Sequence, residues 1–190
     1  MYADGSVGKT KKTVRITLST KDIEHLYKFK NFLNATNTEI KQNNKVENDK
    51  NYELSYFAIS DEKLCNDLIK AGCIPNKTYS LSFPSENILP KELQYHFIRG
   101  FFDGDGSITI DRKRNRINIS FTGTKEMLNE IKKIFGKDKL KLEDKGNFAV
   151  LHIDGNKQVL NILNQVYKDS FSEIELPRKR EKYEEFLKTR

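Results

Sequence analysis

The chain has 190 residues and a formal net charge of +7, with a sequence pI of about 9.2. Its excess of Lys and Arg suits contact with a phosphate backbone, although charge alone is more typical of a solvated basic surface. The sequence has no signal peptide and no apolar run of about 18 residues, which excludes a membrane-spanning helix. We therefore expect a soluble, intracellular protein without a membrane partner, in the cytoplasm or, if an organelle encodes it, in the organelle matrix.

The first third of the chain predicts a hairpin, a helix and a second hairpin. Apolar side chains alternate with polar ones in a half-buried strand, Val14, Ile16 and Leu18 against Arg15, Thr17 and Ser19, after a basic turn of Lys9, Lys11 and Lys12. A helix is predicted from Thr20 to about Leu33, then strands near 38–46 and 52–60 joined at Asp49-Lys50, and a helix at 62–71. Residues 72–89 are rich in turn formers and read as a linker. Cys65 and Cys73 lack zinc-site spacing and are predicted to be reduced, buried thiols.

A second helix is predicted from Pro90, which is favourable at a helix start, to a pair of glycines, Gly104 and Gly106, which end it. The residues that share its apolar face are Leu93, Phe97, Gly100 and Phe101. Asp103 and Asp105 then lie at the C-terminal end of the helix, where the helix dipole disfavours a carboxylate. A cation near this end would resolve the conflict.

The order of elements then repeats. A basic turn of Arg112, Lys113 and Arg114 precedes an alternating strand, Ile117, Ile119 and Phe121 against Arg116, Asn118 and Ser120. The elements predicted after it are a helix from Thr124 to about Phe135, strands near 138–143 and 147–154 joined at Asp144-Lys145, a helix at 157–168 and a charged surface helix at 177–190. Repetition at about a hundred residues predicts a duplicated α+β fold, with repeats at 1–89 and 90–190.

Residues 98–106 read Ile-Arg-Gly-Phe-Phe-Asp-Gly-Asp-Gly and resemble the LAGLIDADG motif of homing endonucleases at all nine positions. Gly100 occupies the helix-packing position, and Asp105 occupies the position of the metal-binding acid. Residues 2–5, Tyr-Ala-Asp-Gly, match the last four positions of a second copy, with Asp4 as its acid. Most of the helix of that copy is missing from the sequence.

The resemblance implies a single-chain protein of two αββαββα halves, whose two antiparallel sheets form a DNA-binding saddle. It implies a site-specific double-stranded DNA endonuclease with a long target site, which makes a double-strand break with short 3′ overhangs and serves intron or intein mobility. Two alternatives stay open, an RNA-splicing maturase and a DNA-binding protein of the same fold that has lost cleavage. The full two-repeat protein is expected to be a monomer, and the exposed face of an unpaired motif helix predicts dimerisation, marginal stability or a longer parent chain.

Phosphodiester hydrolysis needs an activated water and charge stabilisation, both of which a divalent metal supplies. Asp4 and Asp105, with the main-chain carbonyls of Ala3 and Gly104, are hard oxygen ligands suited to Mg²⁺, with Mn²⁺ as a substitute. A calcium-binding loop is disfavoured because the residues after Asp105 lack the acidic ligands that it requires.

Other candidate residues are basic or polar. Lys50 and Lys145 occupy equivalent positions in the two repeats, where a cation would stabilise the transition state, although a solvated lysine fits equally well. The candidate DNA contacts are Lys9, Lys11, Lys12, Arg15, Thr17, Ser19, Arg112, Lys113, Arg114, Arg116, Asn118 and Ser120. His25, His96 and His152 lie apart, which favours structural roles.

Overall fold

The computed structural model describes residues 1–8, 10, 12–47, 49–77, 80–137 and 139–189. The chain divides into two compact units, residues 1–77 and 78–190. Each unit has one four-stranded antiparallel sheet covered by helices. The predicted α+β fold with duplicated halves is confirmed.

The first unit has the sheet order β1-β2-β4-β3. Its elements are β1 (Gly5–Val7), β2 (Thr13–Ser19), α1 (Ile23–Phe32), β3 (Lys41–Glu47), β4 (Lys50–Ser60) and α2 (Glu62–Lys70). The alternation in β2 places Val14 and Ile16 in the core and leaves Arg15 exposed, as the sequence predicts. Cys65 and Cys73 are buried free thiols in this core, which confirms that prediction.

Helix starts in this unit follow local hydrogen bonding. Asp61 caps α2, because its Oδ1 accepts a hydrogen bond from the Leu64 main-chain N at 2.7 Å. The predicted start at Thr20 is wrong by one turn. The Thr20 hydroxyl pairs with that of Ser55 at 3.0 Å instead of capping a helix, and a single 3-10 turn precedes α1.

The second unit has the equivalent sheet order β5-β6-β8-β7. Its elements are α3 (Gln94–Asp105), β5 (Gly106–Asp111), β6 (Arg116–Gly123), α4 (Lys125–Ile134), β7 (Lys141–Asp144), β8 (Ala149–Ile153), α5 (Asn156–Val166) and α6 (Pro177–Lys188). Thr124 caps α4 as predicted, accepting a hydrogen bond from the Met127 main-chain N at 3.2 Å.

The motif helix α3 divides its apolar face between the core and the surface. Phe101, expected on an open stripe, is buried instead, with its ring against Gly123, where an added Cβ would lie 3.0 Å from the ring. Leu93 is 48% exposed, and apart from its chain neighbours and the backbone of α3 itself, no atom of the described residues lies within 4 Å of a Cβ added at Gly100. The open face of α3 is therefore narrower than the sequence pattern predicts.

Two other expectations are corrected in this unit. Residues 80–89 were expected to be part of a linker, but Leu81 is buried and the Phe83 ring meets that of Phe97 edge-on at 5.0 Å. The helix expected to be a charged surface helix forms as α6, but it buries Lys179, Tyr183 and Phe186 against the rest of the unit. The many charged residues of α6 predicted a solvent-exposed helix and gave no sign of this buried face.

Candidate functional site

Asp105 is the last residue of α3, and β5 begins at the next residue. The chain can turn this tightly because residue 106 is Gly, where an added Cβ would lie 2.5 Å from the main-chain oxygen of Phe102. The half-buried Asp105 carboxylate is thus fixed at the carbonyl end of the motif helix.

A buried lysine from α6 occupies this end of α3. Lys179 is 1% exposed, and its Nζ donates hydrogen bonds to the main-chain oxygens of Phe102, Asp103 and Gly106, the second of them at 2.8 Å. The ammonium also lies 5.0 Å from the centre of the Phe102 ring. This side chain is the cation that the negative helix end requires.

The first unit has a similar contact. Lys77 Nζ donates to the main-chain oxygen of Ala3 at 3.0 Å, next to Asp4, which lies in the turn before β1. Sequence reasoning overlooked both lysines. The signal was present, because Ile-Pro-Asn-Lys at 74–77 recurs as Leu-Pro-Arg-Lys at 176–179.

The residue two positions before the acid differs between the units. Asp103 is 6% exposed, and its Oδ2 accepts a hydrogen bond from the Leu176 main-chain N at 3.2 Å. Burial raises the pKa of Asp103 to about 7, despite the opposing effects of that hydrogen bond and of Lys179 and Arg99. The matching residue Tyr2 instead donates its hydroxyl proton to the Ala71 main-chain oxygen, and burial raises the pKa of Tyr2 to about 12.

Few side chains that could bind a metal ion are grouped together in the described part of the chain. Among the described residues, no group of three or more His, Cys, Asp or Glu side chains could hold a metal ion. Lys179 already binds the main-chain oxygens of Phe102, Asp103 and Gly106, and the Asp105 carboxylate and the Gly104 carbonyl stay predicted metal ligands. These hard donors fit Mg²⁺, which retains several waters and needs only one or two protein carboxylates.

The polar strand face of the first unit presents its side chains as predicted. The Arg15 guanidinium is exposed and lies 4.1 Å from the centre of the Tyr56 ring, with Thr17 and Ser19 further along β2. Lys12 forms an ion pair with Glu62 at 3.6 Å. Lys9 and Lys11 lie outside the described residues.

The basic turn of the second unit is ordered by hydrogen bonds. Asp111 Oδ1 accepts from the main-chain N of Lys113 and of Arg114, each at 3.1 Å, and Arg112 binds Glu185 at 2.6 Å.

Beside this turn, Arg116 and Asn118 line an open cavity of about 450 Å³ together with Asp111, Arg114 and Asp154. Ser120, the remaining candidate of this strand, shares a hydrogen bond with Ser107 at 2.9 Å.

The predicted catalytic lysines lie on hairpins. Lys50 is the exposed first residue of β4, and Lys145 Nζ donates to Glu143 Oε1 at 2.6 Å. Glu143 also contacts His152 at 3.1 Å. The catalytic role of Lys50 and Lys145 stays a prediction.

The first of the three histidines is a core residue. His25 packs edge-on against Phe29 at 4.9 Å, while His96 contacts Arg99 at 3.0 Å on α3.

No helix among the described residues is long and apolar enough to cross a membrane.

Comparisons with known proteins identify the domain and the fold. Residues 92–173 match the family model of the LAGLIDADG-like domain. The meganuclease I-SmaMI bound to uncleavable DNA aligns with 98% of this chain over 86% of the I-SmaMI chain, with a TM-score of 0.60 and 12% identity. The meganuclease I-CpaMI bound to DNA aligns with 97% of this chain over 87% of the I-CpaMI chain, with a TM-score of 0.58 and 14% identity.

A third similar structure is not described as a nuclease. Full-length DUF199/WhiA from Thermatoga maritima aligns with 99% of this chain and 56% of its own, with a TM-score of 0.55 and 14% identity. The chain therefore spans just over half the length of that protein. No curated protein sequence is significantly similar to the chain.

Proposed function

Residues 92–173 form a LAGLIDADG-like domain in a chain that has the LAGLIDADG meganuclease fold throughout, and from this premise we propose that the protein is a site-specific, metal-dependent double-stranded DNA endonuclease. The observation that carries the proposal is the placement of Asp105. Its carboxylate lies at the end of the motif helix, directly before the sheet, with a buried lysine on the adjacent carbonyls.

Each part of this site has a role in phosphodiester hydrolysis. The Asp105 carboxylate and the Gly104 carbonyl would hold Mg²⁺, which would activate water and stabilise charge on the phosphate. Lys179 holds the carbonyls around the acid, so the turn is already organised before DNA arrives. Asp4 is the acid of the first unit, and we assign it to the second DNA strand.

The polar faces of the two sheets bind the DNA. Arg15 and Arg116 are exposed on equivalent strands, where Arg suits both phosphate oxygens and guanine edges. Thr17, Ser19, Asn118 and Ser120 provide polar side chains on the same strands. Two-stranded ribbons of this kind fit the major groove.

The test is cleavage of a randomised double-stranded DNA library, followed by sequencing of the ends. In Mg²⁺ we expect one long preferred site cut on both strands, with short 3′ overhangs. The same reaction in Ca²⁺ or EDTA is expected to leave the DNA intact while binding persists. Uniform degradation, or cleavage that persists in EDTA, would contradict the proposal.

A non-cleaving DNA-binding protein is the second candidate, since the same fold also occurs in DUF199/WhiA, which is not named as a nuclease. It predicts selective enrichment of a DNA sequence from the same library without broken ends in any divalent metal. A maturase would instead bind a folded intron RNA in preference to the DNA library.

A further inference from the structure

Helix α6 runs along β5 from the acid to the basic turn. Four of its residues on one face, or just past its end, contact this part of the chain, and we call them the α6 brace: Lys179, Lys182, Glu185 and Thr189. Their spacing of three, three and four positions is that of one helix face. They follow the same order as the residues that they contact.

The contacts of the α6 brace extend from Asp105 to the basic turn. At the inner end, Lys179 binds the carbonyls around Asp105. In the middle, Lys182 Nζ donates to the Ile108 main-chain oxygen at 3.3 Å.

At the outer end, Glu185 Oε1 accepts from Arg112 Nη2 at 2.6 Å and from Arg112 Nε at 3.1 Å. Thr189 Oγ1, which donates to the Phe186 main-chain oxygen at 2.8 Å, also lies 3.4 Å from Asn115 Oδ1, one position before β6 begins. A helix of ten residues spans about 15 Å, so the brace links the buried carbonyls around Asp105 to the exposed basic turn over about that distance.

The outer turn and the helix are each held by further contacts. The outer turn is fixed by Asp111 and by Asn156, whose Nδ2 donates to the Asn115 main-chain oxygen at 2.8 Å. The helix between the ends is anchored by Phe186, which is fully buried, and by Tyr183, which stacks on Tyr167 at 5.4 Å. The distance from the acid to the basic turn is therefore set by a packed helix in addition to the strand.

We infer that the α6 brace sets the position of the basic turn relative to Asp105, and that Glu185 is a positioning residue for DNA cleavage. The inference rests on the proposed function. DNA held by the turn must place one phosphate at the acid, and a small misplacement of reacting groups is costly in rate. Glu185 acts through Arg112 and does not itself meet the DNA, because its charge has the wrong sign.

The test is a charge-swap cycle at the outer end, with Arg112→Glu, Glu185→Arg and the double variant. Each single change places like charges together. Because an exposed ion pair is weak, we expect single-turnover cleavage at saturating protein to fall by about threefold to tenfold. The double variant restores the pair in reverse and should return to within about twofold of the unchanged protein.

These variants distinguish positioning of the turn by α6 from direct contact between Arg112 and DNA. Arg112→Glu and the double variant both lose a cation from the turn, so both should bind DNA more weakly than Glu185→Arg. If Arg112 acted only on DNA, the double variant would cleave as slowly as Arg112→Glu. If the α6 brace positions the turn, the double variant cleaves bound DNA faster than Arg112→Glu does, although it binds DNA more weakly than Glu185→Arg.

Amide hydrogen exchange gives a second readout that does not depend on cleavage. The Lys113 and Arg114 amides, which Asp111 holds, should exchange faster in both single variants and return to normal in the double variant. A swap of Lys133 and Glu130, an exposed pair on α4 with the same 2.6 Å separation, is the matched control and should change neither readout.

Three results would overturn the inference. The first is a double variant no better than the single variants in cleavage, and the second is exchange rates that do not respond to the swap. The third is a restored exchange pattern with unchanged cleavage in every variant, which would make the pair structural only. Failure of the proposed function is recognised separately, because the unchanged protein would then cut no DNA at all.

Discussion

The Nζ of Lys179 lies 2.8 Å from the main-chain oxygen of Asp103, although the two residues are 76 positions apart in the sequence. The contact explains how a helix can end in two acidic residues, since the buried ammonium offsets the negative end of the helix dipole. It also ties α6 to the motif helix, so the geometry around Asp105 depends on a segment beyond the matched domain.

Lys179→Met should therefore destabilise the second unit. The change keeps an unbranched side chain of similar length but leaves buried carbonyls unpaired, which we expect to cost about 2–4 kcal/mol in the free energy of unfolding. Urea unfolding measures it, with Lys133→Met on the surface of α4 as the control. Equal stability of the two variants would show that the buried ammonium is not needed.

Asp105→Asn tests the acid itself. The amide keeps the shape but removes the charge, so cleavage should fall by about a hundredfold or more, while DNA affinity changes little. Single-turnover cleavage and a binding titration in Ca²⁺ measure the two quantities. The control is Asp169→Asn, an exposed position with φ of 55° that Asn tolerates. Activity of Asp105→Asn within about tenfold of the control would contradict the assignment.

The sequence predicts the fold well where the pattern is local. The alternation in β2 and β6, the turns between strands and the Thr124 cap all depend on residues close in sequence, and the structure has each of them. Gly106 also marks the end of the motif helix as predicted, whereas Gly104, expected to break it too, lies inside its last turn.

Long-range packing was harder to predict. Lys179 and Phe186 lie in a segment with many charges, which resembles a solvated surface unless its partner at the end of α3 is known. Phe101 was expected on an open stripe, and its burial against Gly123, 22 positions along the chain, could not be read from the local pattern. The repeated Pro-x-Lys at 75–77 and 177–179 was the one local clue to the lysines that bind main-chain oxygens.

Arg116→Ala tests the DNA-facing side of β6. Arg116 is exposed on the strand and lines the polar cavity with Asn118, so we expect weaker DNA binding and a smaller salt dependence. If it contacts guanine, preference at one base pair should relax by about 1–3 kcal/mol. The comparison is with Lys137→Ala, which removes an exposed cation outside the sheet. Identical affinities and salt slopes for the two variants would refute the proposed face.

His25 makes the stability of the first unit depend on pH. The side chain is 8% exposed and its Nδ1 has no hydrogen-bond partner among the described residues. Burial, and then the charge of Lys28, lower the pKa of His25 from 6.5 to about 4. Asp22 acts in the opposite direction, because its charge favours the protonated ring.

Because the folded state resists protonation, the unfolded chain binds more protons between pH 6.5 and about 4. The contribution of His25 is fully present above the unfolded pKa and is lost as pH falls through this window, by up to about 1.4 kcal/mol per pH unit. His25→Phe keeps a ring of similar size and removes the titration. Urea unfolding of both proteins at pH 7 and pH 5 should show the variant losing less stability, since the carboxylates common to both cancel in the difference. Parallel losses in the two proteins would mean that His25 is protonated as readily in the folded unit as in the unfolded chain.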